Sequence, residues 1–172
     1  IQKKVASVIA SLDDKIELNN NIAKTLDEMA QVIFKEWFIN FRFPGYEKVK
    51  FVDSELGKIP DSWEVTQLGK IIEFAYGRAL KDGDRKEGNI AVVGSSGIVG
   101  THNQKFVTGP GIVVGRKGNV GSILWLDDDF YPIDTTFYIK SNLDLHFCYF
   151  LLMKQHFVTG DSAVPGLNRN QA

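Results

Sequence analysis

At 172 residues, 44% hydrophobic and 24% charged, the chain can bury one real core and an appendage, and it reads as globular and soluble. No run approaches the roughly 18 apolar residues of a membrane span, no charged-then-apolar leader opens the chain, and a net charge of −1 argues against a general polyanion binder. The single cysteine, Cys148, sits in the apolar run Phe147-Cys-Tyr-Phe-Leu-Leu152; this excludes a disulfide scaffold, reads as a small buried hydrophobe and points to a reducing cytoplasm.

Residues 1 to about 40 contain neither Gly nor Pro. Val5, Ile9, Leu12, Ile16, Asn19, Ala23, Leu26, Ala30, Ile33 and Trp37 recur in alternating steps of four and three, the heptad seam of a helix paired with another helix. Val8, Ile22, Met29 and Phe34 widen that stripe, and Asn19 places on the seam a polar residue that lowers stability while fixing register. About 38 residues at 1.5 Å each predict a rod of roughly 57 Å, longer than a small domain covers, so a partner helix is expected from elsewhere. Pro44-Gly45 ends the helix, and Tyr46–Ser62 reads as a polar connector with a second stop at Ile59-Pro60-Asp61.

From Trp63 a compact, strand-rich domain is expected. Strands are predicted near Ile71–Tyr76, Ile90–Val93, Lys105–Val107, Gly111–Val114, Ser122–Trp125 and Thr135–Ile139. Ser141-Asn-Leu-Asp144 has capping-box spacing ahead of a helix of three to four turns beginning at Leu145. Gly160–Arg169 reads as a loop. The chain begins at Ile1 and stops at Gln171-Ala172 without a closing element, as a fragment of something longer would.

Eight of the sixteen glycines lie between Val92 and Ile123. A phosphate cradle fits poorly there: Gly115-Arg-Lys-Gly118 lacks the Lys-Ser/Thr pair of a P-loop, and Gly109-Pro-Gly111-Ile-Val-Val-Gly115 departs from dinucleotide spacing. Turns between short strands explain the glycines better. From Gly77 to Lys117 there are seven basic residues against three acidic; from Asp127 to Asp161 there are two basic against six acidic. The glycine-rich region is thus locally positive, as a nucleic-acid footprint or an unevenly charged solvated surface would be. His102, His146, His156 and Cys148 have no metal-ligand spacing, Asp127-Asp-Asp129 reads as a solvated turn, and nothing assembles a base, a nucleophile and an oxyanion site. No catalytic residue and no metal are assigned.

A long seam helix, then Phe41-Arg-Phe-Pro44, then Asp53-Ser-Glu-Leu-Gly-Lys-Ile-Pro60, then Trp63-Glu-Val-Thr-Gln-Leu-Gly69 resembles the specificity subunit of type I restriction-modification enzymes. Gln2–Asn19 looks like that family's conserved spacer helix. Val93–Gly100, Gly115–Gly118 and Asp134–Ile139 look like landmarks of its target recognition domain, and Ser162–Arg169 resembles the segment before a second spacer helix. The resemblance implies an α+β chain: a coiled-coil helix over 1–42, a connector over 43–62, and a mixed α/β target recognition domain over 63–172, rich in short strands and glycine turns. It implies a non-catalytic, cytoplasmic DNA-specificity subunit that reads one half of a bipartite site in double-stranded DNA. Its implied partners are modification subunits that bind S-adenosylmethionine and methylate DNA, a restriction subunit, and a second helix from the same parent chain or from a homodimer partner; this chain itself carries no cofactor and meets no membrane.

On that reading the helix pairs through Val5, Ile9, Leu12, Ile16, Asn19, Ala23, Leu26, Ile33 and Trp37. Arg78, Lys81, Lys105, Arg116 and Lys117 neutralise phosphates. The loop Thr101-His102-Asn103-Gln104 is the leading base reader, because Asn and Gln pair bidentately with adenine; Ser95, Ser96 and Asn119 are further candidates. The rival reading is a coiled-coil assembly protein whose β-rich domain binds protein.

Overall fold

The computed structural model describes residues 2–157 and 166–167. The chain divides into two compact units, Ile1–Val65 and Thr66–Ala172.

The first unit is built on α1, Gln2–Phe34, whose 33 residues at 1.5 Å each give a rod of about 50 Å. It runs on into a wider π-helical turn at Lys35–Ile39, where the Asn40 N–H donates to the Lys35 carbonyl at 2.9 Å, five residues back. Trp37 lies in that turn and is partly exposed, so the last position of the expected seam falls on π-helical rather than α-helical backbone. The side chain of Val5 lies outside the described residues. Ile9, Leu12, Ile16 and Leu26 are each 54–59% exposed, so the seam is an uncovered apolar stripe.

The expected polar connector contains a hairpin, β1 (Phe51–Ser54) and β2 (Gly57–Pro60), with Phe51 opposite Pro60 and Ser54 opposite Gly57. The Ser54 hydroxyl closes the turn, donating to the Gly57 carbonyl at 2.6 Å and accepting the Leu56 N–H at 3.2 Å. Aromatic contacts hold the helix end: Phe34 on Phe38 at 5.1 Å, Phe38 on Trp63 at 6.1 Å, and Phe41 edge-on to Trp63 at 5.4 Å and to Phe51 at 6.1 Å. Phe41 has φ +53°, a left-handed backbone that costs a bulky residue on the order of 1–3 kcal/mol. Its two ring contacts, at about 0.5–1.5 kcal/mol each, are of a size to offset that. Trp63, expected to open the second domain, packs in the first unit, whose boundary falls just beyond it.

The second unit has three layers. One sheet has the order β3 (Ile72–Tyr76), β9 (Thr136–Ser141), β6 (Gly111–Gly115), β7 (Ile123–Leu126), antiparallel throughout. The other has the order β5 (Gly97–His102), β4 (Ile90–Gly94), β8 (Phe130–Pro132), with β4 and β8 parallel. A single helical turn, α2 (Leu68–Ile71), leads into β3, and α3 (Leu145–Met153) follows β9. Strand alternation sorts the core: Ile112, Val114, Phe74 and Phe137 join Cys148 and Leu152 of α3 in one cluster, while Val113 and Leu126 meet Val93 and Phe130 of the other sheet in a second. β6 is buried along its whole length.

Several local expectations are corrected. Lys105–Val107 forms no strand; Val107 makes an isolated bridge to Phe130, since Phe106 and Val107 both donate to the Phe130 carbonyl. β7 begins at Ile123 because Ser122 is used to close the preceding loop, its N–H 3.4 Å from the Asn119 carbonyl. No capping box forms at Ser141, which ends β9; Asp144 is itself the N-cap, accepting the N–H groups of His146 and Phe147 at 2.9 and 3.2 Å. α3 is nine residues long, about two and a half turns, shorter than expected. The expected loop at Gly160–Arg169 lies outside the described residues except for Gly166 and Leu167.

Among the glycines of the central run, Gly111 is required by close approach: a Cβ there would lie 2.7 Å from Cε1 of the buried Phe130 ring. Gly111→Ala is expected to destabilise the chain by about 1–3 kcal/mol, and Phe130→Leu in that background to recover part of the loss, a coupling readable in a urea-denaturation double-mutant cycle.

Candidate nucleic-acid interface

Strand direction decides which polar residues meet. β3 and β6 both run against β9, and β4 runs with β8, so the C-terminal ends of β3, β4, β6 and β8 emerge together. Hydrogen bonds tie that end into one surface. The Gly77 N–H reaches the Thr136 carbonyl at 3.1 Å, Arg78 N–H the Pro132 carbonyl at 2.9 Å, and Ile133 N–H the Val93 carbonyl at 2.9 Å. The Arg116 and Lys117 N–H groups both donate to the Thr135 carbonyl, and the Ser122 hydroxyl donates to the Ser95 carbonyl at 2.7 Å.

Six of the sequence-predicted residues collect here: Arg78, Ser95, Ser96, Arg116, Lys117 and Asn119. Arg78, Ser96, Lys117 and Asn119 are exposed, while Ser95 and Arg116 are half-buried. The Arg116 guanidinium lies 4.9 Å over the Tyr76 ring and 5.7 Å from that of Phe137, and its Nη1 donates to the Asp134 carbonyl at 3.1 Å. The ring and the carbonyl pre-orient this cation, so less side-chain entropy is lost when it meets an anion. Among the described residues, Arg78, Arg116 and Lys117 have no carboxylate within ion-pair distance. Tyr76 was missed by sequence reasoning; its signal was its place at the end of a strand, two residues before Arg78.

The other predicted residues fall elsewhere. β5 runs back from the Ser95–Ser96 turn, so His102, Asn103, Gln104 and Lys105 sit at the opposite end. Thr101 and His102 belong to β5 and not to a loop. His102 is buried, its Nδ1 accepting the Lys86 N–H at 3.0 Å and its ring edge-on to Tyr131, so its Nδ1 closes a turn here and is already occupied. Asn103 and Gln104 are exposed. The Lys105 ammonium is paired with Asp129 at 2.7 Å, beside an acidic cleft lined by Asn89, Ile90, Gly109 and Asp127–Asp129. Lys81 is exposed on the segment linking the two ends. Among the described residues, one end therefore gathers three cations without an ion-pair partner, with Asp134 nearby, and the other pairs Lys105 with Asp129 next to Asp127 and Asp128.

Asp127–Asp129 does not behave as a free turn. Lys105 and the Gly109 N–H, at 3.0 Å from Oδ1, hold the Asp129 carboxyl below its ordinary range, and the Phe147 and His146 N–H groups do the same for Asp144. Among the described residues no group of three or more His, Cys, Asp or Glu is placed to hold a metal ion. No described helix is long and apolar enough to cross a membrane.

A helix packed on one face of a sheet and a second sheet on the other, with turns and unpaired cations gathered at one strand end, define a loop-presenting binding module. Residues 60–170 match the family described as type I restriction modification DNA specificity domain, so the chain belongs to that family. It is 52% identical over 40 residues, 23% of its length, to the type I restriction enzyme HindI specificity subunit of Haemophilus influenzae. It is 36% identical over 76 residues, 44% of its length, to the MjaIX specificity subunit of Methanocaldococcus jannaschii. A crystal structure of a type I restriction-modification S subunit from M. genitalium superposes with a TM-score of 0.53 at 16% identity over 59% of the chain, which shows a shared fold. The matched regions span 9% and 18% of the two relatives and 30% of the solved chain.

Since folding depresses the Asp129 pKa, the Asp129 contribution is present above the ordinary carboxylate range and is lost as pH falls through and below it. Asp129→Asn is expected to flatten the acid limb of the stability-versus-pH curve and leave its neutral-to-alkaline shape unchanged, measured by thermal melts across the acid range.

Proposed function

We propose that this chain is the DNA-reading part of a type I restriction-modification specificity subunit. It reads one half of a bipartite site and positions modification subunits, which carry S-adenosylmethionine, and restriction subunits. The carrying observation is the strand-end surface of Arg78, Arg116 and Lys117 flanked by Ser96 and Asn119. Uncompensated cations supply sequence-independent phosphate attraction, and short polar side chains beside them can reach base edges. Arg116, braced on Tyr76 and on a backbone carbonyl, suits a phosphate better than a base, because its fork is already partly used. The neutralised end with Lys105 and Asp127–Asp129 faces away from DNA on this reading, since carboxylates beside phosphates repel them.

The uncovered seam of α1 takes a second helix, from the same parent protein or a second copy, and the apolar flank of Val8, Ile22 and Met29 leaves area for modification subunits. The chain makes no bond itself, acts in the cytoplasm where DNA is held, and takes no cofactor.

Mapping methylated adenines in cells that express the chain with its modification partner, then exchanging residues 66–172 for another recognition domain, is expected to change one half of a bipartite motif. An unchanged motif would sink the proposal. Lys117→Ala should weaken binding about equally on all sequences and reduce the salt slope by about 1. Ser96→Ala with Asn119→Ala should alter sequence preference, and Asn103→Ala with Gln104→Ala should leave it intact. Ile16→Glu with Leu26→Glu should abolish assembly while unit 2 stays folded, read by gel filtration and circular dichroism.

A further inference from the structure

We infer that Leu167 is a positioning residue for the Arg116–Lys117 loop, which rests on the reading of that strand end as the DNA-facing one. The loop from Gly115 to Ser122 is closed at its base by the Gly115 N–H on the Ser122 carbonyl at 2.8 Å and the Gly121 N–H on the Gly115 carbonyl at 2.9 Å. On one side the Arg116 and Lys117 N–H groups are held by Thr135. The Arg116 carbonyl is held by a residue far along the chain: the Leu167 N–H donates to it at 2.8 Å, and Gly166 bridges to Lys117.

The Leu167 side chain is 2% exposed, in the cluster with Ile112, Phe137, Cys148 and Leu152. One residue thus has its amide on the cationic loop and its side chain in the core under α3. Burial fixes the amide, and the amide fixes the peptide plane between the two loop cations, so the direction of Arg116 and Lys117 depends on a side chain that never meets DNA. A backbone hydrogen bond of this kind corresponds to a roughly 2–10-fold effect on an equilibrium it biases.

The test uses the full chain assembled with its modification subunit, on a duplex carrying its methylation-mapped site and on an unrelated duplex. Leu167→Ala is compared with Leu167→Met and with Leu152→Ala, a matched truncation in the same cluster, on α3, whose backbone makes no hydrogen bond to the loop among the described residues. Leu167→Ala is expected to weaken site binding about 3–10-fold and to speed amide exchange at residues 115–119, with Leu167→Met restoring both. Leu152→Ala is expected to lower the denaturation midpoint similarly and change neither. Equal effects from Leu167→Ala and Leu152→Ala, or normal exchange in Leu167→Ala, overturn the inference. Should Leu167→Ala fail to fold, Leu167→Val is held to the same comparison. A wild-type assembly that does not discriminate its site removes the DNA reading, while the exchange comparison still decides whether Leu167 positions the loop.

Discussion

The recognition domain depends on the burial of β6 from both sides. Ile112 and Val114 point into the helix-side cluster and Val113 into the sheet-side cluster, so five consecutive residues with small or β-branched side chains form the seam between two cores. A strand in that position cannot shift register by one residue without exchanging its two faces, and Gly111 at its start tolerates no side chain against Phe130. The strand is therefore fixed along its length. Arg116 is the next residue after it, so the cationic loop starts from a strand buried on both faces.

That constraint also separates the two ends of the layers. Charges counted along the chain merge Lys105 with Arg116 and Lys117 into one positive region, although β6 carries the chain from one end of the sheet to the other between them. Lys105 arrives beside the turn at Asp127–Asp129 and is paired; Arg116 and Lys117 arrive where, among the described residues, no carboxylate is in reach. At a separation of a few ångströms a paired cation has little left for a phosphate, while an unpaired one at the surface retains its attraction within a Debye length of about 10 Å. Two lysines twelve positions apart in sequence thus have opposite value to a DNA-binding surface.

These facts show where sequence patterning was informative. The helix was legible because forty residues without Gly or Pro hold one period, and β3, β4, β6, β7 and β9 because β-branched runs stand between turn residues. The β1–β2 hairpin was not, since Phe-Val-Asp-Ser and Gly-Lys-Ile-Pro are mixed in polarity and their order comes from Phe41 and Trp63, contacts that no local window contains. β5 was hidden for a related reason: Gly97 and Gly100 read as turns, yet Gly100 lies inside the strand next to a register shift opposite Val92 and Val93. Candidate residues could be picked by type, but which of them share a strand end followed strand polarity, which side-chain pattern does not encode. Ser95, Ser96, Arg116, Lys117 and Asn119 came together with Arg78, and His102 through Lys105 did not.

The first unit obeys a different logic. Phe34, Phe38, Phe41 and Trp63 bury one end of α1 against its own hairpin, whereas Ile9, Leu12, Ile16 and Leu26 remain more than half exposed over several turns. An apolar side chain moved from water into a packed interface contributes about 1.5–3 kcal/mol, so four such residues hold several times the net contribution expected of any single surface ion pair on the same helix. The aromatic end is packed within the first unit, whereas the stripe is open to the association proposed above. The same helix thus has an aromatic end packed within the first unit and, from Ile9 to Leu26, an exposed apolar stripe, the face that a second helix would cover on the proposed reading.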